Sequence, residues 1–382
     1  MRATFDPEIW AQVPFHFWSL VFFSFGCVVG SFLNVCIYRM PLNQSVVSPP
    51  SHCPHCNYSI PWFLNIPLFT WLYLRGKCAN CSAPISIRYF LVELLTGLTF
   101  LACWLKFGDQ SALLALAYCL LLAGFIVATF IDLEHFIIPD EITIGGIVAG
   151  FICSFIVPQL HASNTASQSL LSSLTGIAVG GGIVYAVLRG GKLLFGRQKI
   201  ELAADSKIVF TETCLKLPDH DIAYEELFYR NSDVILLEGK RVEMIDRCFP
   251  ETSVRLTPKT LLMGDSKFNT EEVPYLEATT NAITLPREAM GFGDVKFMAA
   301  IGAFLGWPAV VFALLISAVI GAIVGVTLIL AKRSEWSSRL PYGPYIALAA
   351  TIWIFSTANV QEWWTLQLKT LGQIFLIPFG GA

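Results

Sequence analysis

Residues 111–140 read SALLALAYCLLLAGFIVATFIDLEHFIIPD. Positions 111–131 carry no charged side chain, and Asp132 closes the run. About 20 apolar residues suffice for a helix to cross a hydrocarbon core, so this stretch predicts a transmembrane helix with an aspartate at its end. Working outward, similar apolar runs occur at 15–38, 88–106, 142–158, 170–189, 294–306, 308–331 and 343–360. The run at 294–306 is short; it is either a half-span or continuous with the next through Gly306-Trp307-Pro308. Composition agrees, with 55% hydrophobic and 14% charged residues in 382, against about 25% charged in soluble proteins. The expected fold class is an all-α polytopic membrane protein of about eight transmembrane helices.

The basic residues set an expected orientation, because short cytoplasmic loops are rich in Lys and Arg. With the N-terminus outside, the cytoplasmic side holds Arg39, Arg75, Lys77, Arg88, Arg189, Lys192, Arg197, Lys199, Arg287, Lys296, Lys332, Arg333 and Arg339, while the exterior keeps Arg2, Lys106 and Lys369. The opening stretch includes Phe5-Asp6-Pro7-Glu8-Ile9-Trp10 and lacks a basic leader region, so the first run reads as a retained span. The organisation expected is a first span in 1–39, a cytoplasmic zinc-binding domain in 40–87, and spans two to five in 88–189. A cytoplasmic β-rich insert follows in 190–290, then spans six to eight in 291–360 and an interfacial tail in 361–382. Within the insert, Ser206–Leu217 alternates in part, and Val234–Leu237 with Arg241–Ile245 around Glu238-Gly239-Lys240 predicts a hairpin. His220, between Asp219 and Asp221, reads as a solvated turn. No basic tract or aromatic–basic stripe points to nucleic acid.

Cys53-Pro54-His55-Cys56 and Cys78-Ala79-Asn80-Cys81 are two C-x2-C pairs. Four thiolates at this spacing can surround a zinc ion, whereas a coincidence or a redox pair is the plainer alternative. Reduced cytosolic thiols favour metal over disulfides. A set of four sulfurs leaves no open position, so such a site is structural and would fold a loop too small for its own core. His52 and His55 are spare ligands, read as surface groups.

Asp132 ends the third apolar run and Asp294 opens the sixth, within Gly291-Phe292-Gly293-Asp294-Val295-Lys296. Ionisable groups at membrane depth are costly and mark function by default. Two close carboxylates cannot both ionise and so share a proton; one then activates water while the other protonates a carbonyl. Gly291 and Gly293 would let a substrate strand approach the backbone. Alternatively Asp294 is a helix N-cap. Asp140 and Glu141 look like the N-terminal cap of the fourth span, and Glu134 and His135 like solvated loop residues. Glu93 is either a substrate or proton contact or the partner of Arg88.

Taken together these motifs resemble the bacterial prepilin peptidases, aspartic proteases of the G-x-G-D type. Besides the cysteine loop, the likeness rests on Gly30-Ser31-Phe32-Leu33-Asn34-Val35-Cys36-Ile37-Tyr38-Arg39-Met40-Pro41, on Asp132 followed by Ile138-Pro139-Asp140, and on Gly291–Lys296 followed by Gly302-Ala303-Phe304-Leu305-Gly306-Trp307. Pro341-Tyr342-Gly343-Pro344 adds to it. The resemblance implies a plasma-membrane (inner-membrane) endopeptidase that removes the leader of type IV prepilins or type II secretion pseudopilins after a glycine, on the cytoplasmic face. Methylation of the new N-terminal amine by S-adenosylmethionine would follow. It implies Asp132 and Asp294 as the catalytic pair and Cys53, Cys56, Cys78 and Cys81 as ligands of structural zinc. The methyl-donor site is not placed by it; Gly30, Asn34 and Arg39 are candidates because they adjoin the cysteine loop. The implied partners are leader peptides and membrane lipid. The insert departs from the family's usual short loop, and either docks pilus or secretion machinery, gates the substrate, or is inert. The competing readings are a cleavage-only peptidase, an ion-coupled transporter and a membrane scaffold.

Overall fold

In the computed structural model, residues 14–195, 197–218, 221–228, 233–245, 247–264, 266–286, 291–331 and 340–376 are described. The opening residues 5–10, Asp219, His220 and the basic residues in 332–339 lie outside them. Each apolar run forms helix: α1 (Phe15–Arg39), α2 (Ile87–Phe107), α3 (Ala112–His135), α4 (Asp140–Ile156), α5 (Ala166–Phe195), α6 (Phe292–Leu330) and α7 (Gly343–Phe355), with α8 (Ala358–Leu376) in the tail. Five of these, α1, α2, α3, α5 and α6, are long and apolar enough to cross a membrane. A sixth span results if α7 and α8, bent by 113° at their junction, count as one broken element. α4 has 17 residues, or about 25 Å at 1.5 Å per residue. α6 is two helices joined at Gly306, whose φ of 76° and ψ of 172° are non-helical. Glycine tolerates that backbone, and Pro308 opens the second half.

The first half of α6 is the centre of the bundle: Val295 to Gly306 is buried apart from Lys296. Small residues let its neighbours come close. A Cβ at Gly176 of α5 would lie 2.0 Å from the Gly302 carbonyl oxygen, and one at Gly150 of α4 would lie 2.7 Å from the Ala303 Cβ. Phe125 of α3 meets Phe297 edge-to-face at 5.5 Å. α1 and α2 pair through Gly26, Gly30 and Gly97. Lys106 closes the far end of α7, its Nζ donating to the Ile354 and Ser356 carbonyls, where a cation also suits the helix terminus.

Residues 186–291 form a second compact unit. It is an antiparallel sheet of β1 (Arg197–Phe210), β2 (Cys214–Lys216), β3 (Asp221–Ala223), β4 (Ile235–Met244), β5 (Cys248–Leu256), β6 (Thr260–Met263), β7 (Ser266–Asn269) and β8 (Leu276–Pro286), in the order β3-β2-β1-β8-β4-β5-β6-β7. Alternate side chains such as Ile208, Ile235, Leu237, Val242, Val254, Leu261 and Ile283 make its own core. The hairpin expected at Glu238-Gly239-Lys240 is not formed. β4 runs straight through, with Gly239 opposite Thr252 and Arg241 opposite Pro250 on β5. The glycine serves close packing instead: a Cβ there would lie 2.4 Å from a Val242 methyl, which is a common reason for glycine inside a strand.

Candidate active site and metal centre

The two aspartates are placed by the ends of their helices. α3 stops because Phe136 turns left-handed (φ 56°) and returns its N–H to the Asp132 carbonyl. Ile138 and Pro139 then reverse the chain into α4. Asp132 is thereby left in the last full turn of α3, 5% exposed. Asp294 lies in the first turn of α6, 8% exposed. It is not the N-cap, since the helix already begins at Phe292, but an acid in this turn still suits the helix dipole. Asp140 is likewise the first residue of α4 rather than its cap, which is Pro139. Its carboxylate pairs with Lys296 and so ties the start of α4 to the start of α6.

A fourth segment joins them. The Gly343 N–H donates to Asp132 Oδ2 at 2.8 Å. A Cβ on Gly343 would lie 2.8 Å from that oxygen and 3.1 Å from Ile138 Cδ1. Ile138 also faces Gly293, whose added Cβ would meet it at an ordinary 3.5 Å. Tyr342 lies within electrostatic reach of Asp294 and Tyr345 of Asp132. The two tyrosine rings meet edge-to-face at 6.2 Å, and the Tyr342 hydroxyl bonds Ser317 of α6 at 3.0 Å. Asp132 is thus held against Gly343, which also touches Ile138, while Asp294 is linked toward it through Tyr342, whose ring meets that of Tyr345 beside Asp132. The Pro341–Pro344 motif was visible in the sequence, but not that its glycine amide holds Asp132.

The four cysteines also converge. Two matching turns present them: Asn57 (φ 54°) and Ser82 (φ 59°) are left-handed. Their N–H groups return to the Cys53 and Cys78 carbonyls. The sulfurs all lie within 4.8 Å of one another, with Cys53–Cys81 at 3.8 Å and Cys56–Cys78 at 4.0 Å. Ligands at about 2.3 Å around a tetrahedral ion stand about 3.8 Å apart, so the cluster fits zinc. The Cys81 and Asn80 backbone amides pull the Cys78 thiol down to about 6. Cys81 is the converse: the Ala83 amide lowers it, but partial burial and the neighbouring sulfurs outweigh this and push it up to about 12. Four clustered thiols cannot all ionise unless a cation replaces their protons. His52 and His55 are exposed, and His52 bonds the Pro50 carbonyl.

Two other carboxylates differ from expectation. Glu134 is helical and pairs with Arg88. Glu93 is therefore not the partner of Arg88; it is buried and accepts the Leu68 N–H at 2.7 Å. Of the three residues beside the cysteine loop, Gly30 packs against the Glu93 backbone and Arg39 bonds the Ser45 carbonyl. Asn34 donates to Gly30 and Tyr89, and among the described residues its buried Oδ1 has no hydrogen-bond partner.

Fold and site together define a polytopic membrane protein that carries a four-thiol knuckle and two buried aspartates at the ends of apolar helices. The chain belongs to the type IV leader peptidase family: residues 119–204 and 275–326 match that family's profile, and residues 24–107 match the Bacterial Peptidase A24 N-terminal domain. The unmatched stretch between the two parts of the family profile falls inside the β-sheet unit. The prepilin leader peptidase/N-methyltransferase of Aeromonas hydrophila is 28% identical over 386 residues, covering 94% of this chain and 97% of that protein. Its Myxococcus xanthus counterpart is 48% identical over 138 residues, 36% of this chain and 40% of that protein. The Dichelobacter nodosus one is 33% identical over 206 residues, 46% of this chain and 67% of that protein. No solved structure matches the chain.

Proposed function

We propose that this protein is an inner-membrane aspartic endopeptidase that removes the leader of prepilins or pseudopilins on the cytoplasmic face and then methylates the new N-terminal amine. The observation that supports the reading is that Asp132 and Asp294, 162 residues apart in a 382-residue chain, are both buried at helix ends and both interact with the edge-to-face pair Tyr342 and Tyr345. The relatives' names supply the substrate class, and the lysines and arginines supply the orientation.

The pair holds one proton. Asp132 Oδ2, already accepting the Gly343 amide, stays an acceptor, and Asp132 takes a proton from water as the water oxygen bonds the scissile carbonyl carbon. Asp294 gives its proton to the carbonyl oxygen. The carbon–nitrogen bond then breaks, the leaving amine takes up a proton from the pair, and the products are an acid and a free amine. The bare backbone at Gly293, where packing does not forbid a side chain, leaves room for an extended substrate.

Cys53, Cys56, Cys78 and Cys81 would hold structural zinc, which cross-links the loop between α1 and α2. S-adenosylmethionine would supply an electrophilic methyl group. Gly30, Asn34 and Arg39, which lie beside the knuckle, are the candidates for that site. Incubation of the enzyme with a pilin precursor and labelled S-adenosylmethionine tests both halves. Cleavage without label in the mature product would reduce the function to the peptidase, and no cleavage would remove it.

A further inference from the structure

Residues 57–74, between the cysteine pairs, contain no Asp, Glu, Lys or Arg. Six large side chains project from this stretch: Trp62 (82% exposed), Phe63, Ile66, Phe69, Leu72 and Tyr73 (71%). A contiguous apolar surface of this kind marks an interaction site, and the depth of the loop indicates its partner. Leu68 donates its N–H to Glu93, the seventh residue of α2, about 9 Å along the helix from Ile87. α2 has 21 residues, close to the minimum of about 20 that crosses the hydrocarbon. Its seventh residue therefore lies about 9 Å inside the end of the span, within the leaflet, and Leu68 lies beside it.

The loop is held there firmly. Leu68 has φ 60° and ψ −50°, and Phe69 donates to the Pro67 carbonyl at 2.6 Å. This γ-turn is of the rare, strained kind, and the buried Glu93 carboxylate secures its central amide. Trp71 fixes a second point, its ring 5.3 Å from Phe90 and its indole N–H donating to the Ile85 carbonyl. Leu91 and Leu95, exposed on the same helix, continue the apolar surface. Arg75 and Lys77, both exposed, follow at once, where cations meet lipid phosphates.

We infer that residues 62–73 insert into the leaflet beside α2, with the six apolar side chains against lipid, Arg75 and Lys77 at the headgroups, and Glu93 as the positioning residue that sets the depth. The knuckle then rides on the bilayer instead of standing free in water. This surface does not depend on the peptidase reading.

The test uses the full chain in vesicles of phosphatidylethanolamine and phosphatidylglycerol. A benzophenone amino acid replaces Phe63 or Phe69 in turn, with Leu20 of α1 as the lipid-facing comparison. Irradiation and mass measurement should give lipid adducts at Phe63 and Phe69 at yields comparable to Leu20. Glu93→Ala should lose the Phe69 adduct and open Arg75 and Lys77 to trypsin while the protein keeps its zinc. Glu93→Gln, which can still accept the Leu68 N–H, should behave like the natural protein. Lipid labelling at Leu20 but not at Phe63 and Phe69, or adducts at these positions to an added pilin precursor in place of lipid, would overturn the inference. So would an unaltered Phe69 adduct in Glu93→Ala.

Discussion

Replacing Gly343 by alanine should disable cleavage by displacing a residue that is itself unchanged. The new Cβ would lie 2.8 Å from Asp132 Oδ2, 3.1 Å from Ile138 Cδ1 and 3.3 Å from Asp132 Cγ. Non-bonded contacts settle near about 3.5 Å, so the carboxylate must retreat by roughly 0.7 Å. That motion stretches or breaks the 2.8 Å bond from the Gly343 amide. A hydrogen bond to a charged group contributes about 1.5–3 kcal/mol. A misplacement of about 1 Å in a catalytic group costs about 10²-fold in rate. Both routes give the same expectation, a fall of about 10²-fold in kcat. The assay is single-turnover cleavage of a pilin precursor in vesicles, read by mass. In parallel, methyl transfer onto a peptide that already bears the mature N-terminus should persist, because Gly343 is not among the residues beside the knuckle. Cleavage at the natural rate in G343A would refute the role given to the amide–carboxylate contact. Equal loss of both activities would point to misfolding.

Cys78→Ser should lower bound zinc from one equivalent to none and expose the loop at Arg75 and Lys77 to trypsin, as measured by metal content and digestion. Zinc binding requires the four thiols as thiolates, so protons compete with the metal for them. Zinc retention, followed with a colorimetric chelator, should therefore fall as pH is lowered. β1 and β8 pair from Arg197 opposite Pro286 onward, so the sheet unit leaves and rejoins the chain at neighbouring points. Replacing residues 202–281 by a two-residue hairpin turn should leave zinc content and precursor cleavage as in the intact chain, and a loss of cleavage would assign the insert a part in catalysis. Lys296→Ala, which unties α4 from α6, should lower cleavage more than it lowers thermal stability, measured side by side.

The helices were legible because hydrophobicity in a membrane chain is dictated by the solvent, and each apolar run became a helix. The bend at Gly306 was legible too, from Gly306-Trp307-Pro308. The four thiols could be grouped from spacing alone, since C-x2-C fixes local turns. What escaped the sequence was backbone chemistry. Gly343 donates to Asp132 across 211 residues, and no side-chain pattern announces a main-chain N–H. Glu93 read either as a substrate or proton contact or as the partner of Arg88, and instead it holds the amide of Leu68. Glu238-Gly239-Lys240 had turn composition, but Gly239 is there for room beside Val242 in a continuous strand. Local propensity lost to tertiary packing at that point.

The central claim is that Asp132 and Asp294 act as one proton-sharing unit. Asp132→Asn, Asp294→Asn and the double variant, each incubated in vesicles with a pilin precursor and weighed by mass spectrometry, test it directly. The account predicts that either single change abolishes leader release as fully as both together, with folding and zinc intact. Substantial cleavage by either single variant would contradict it.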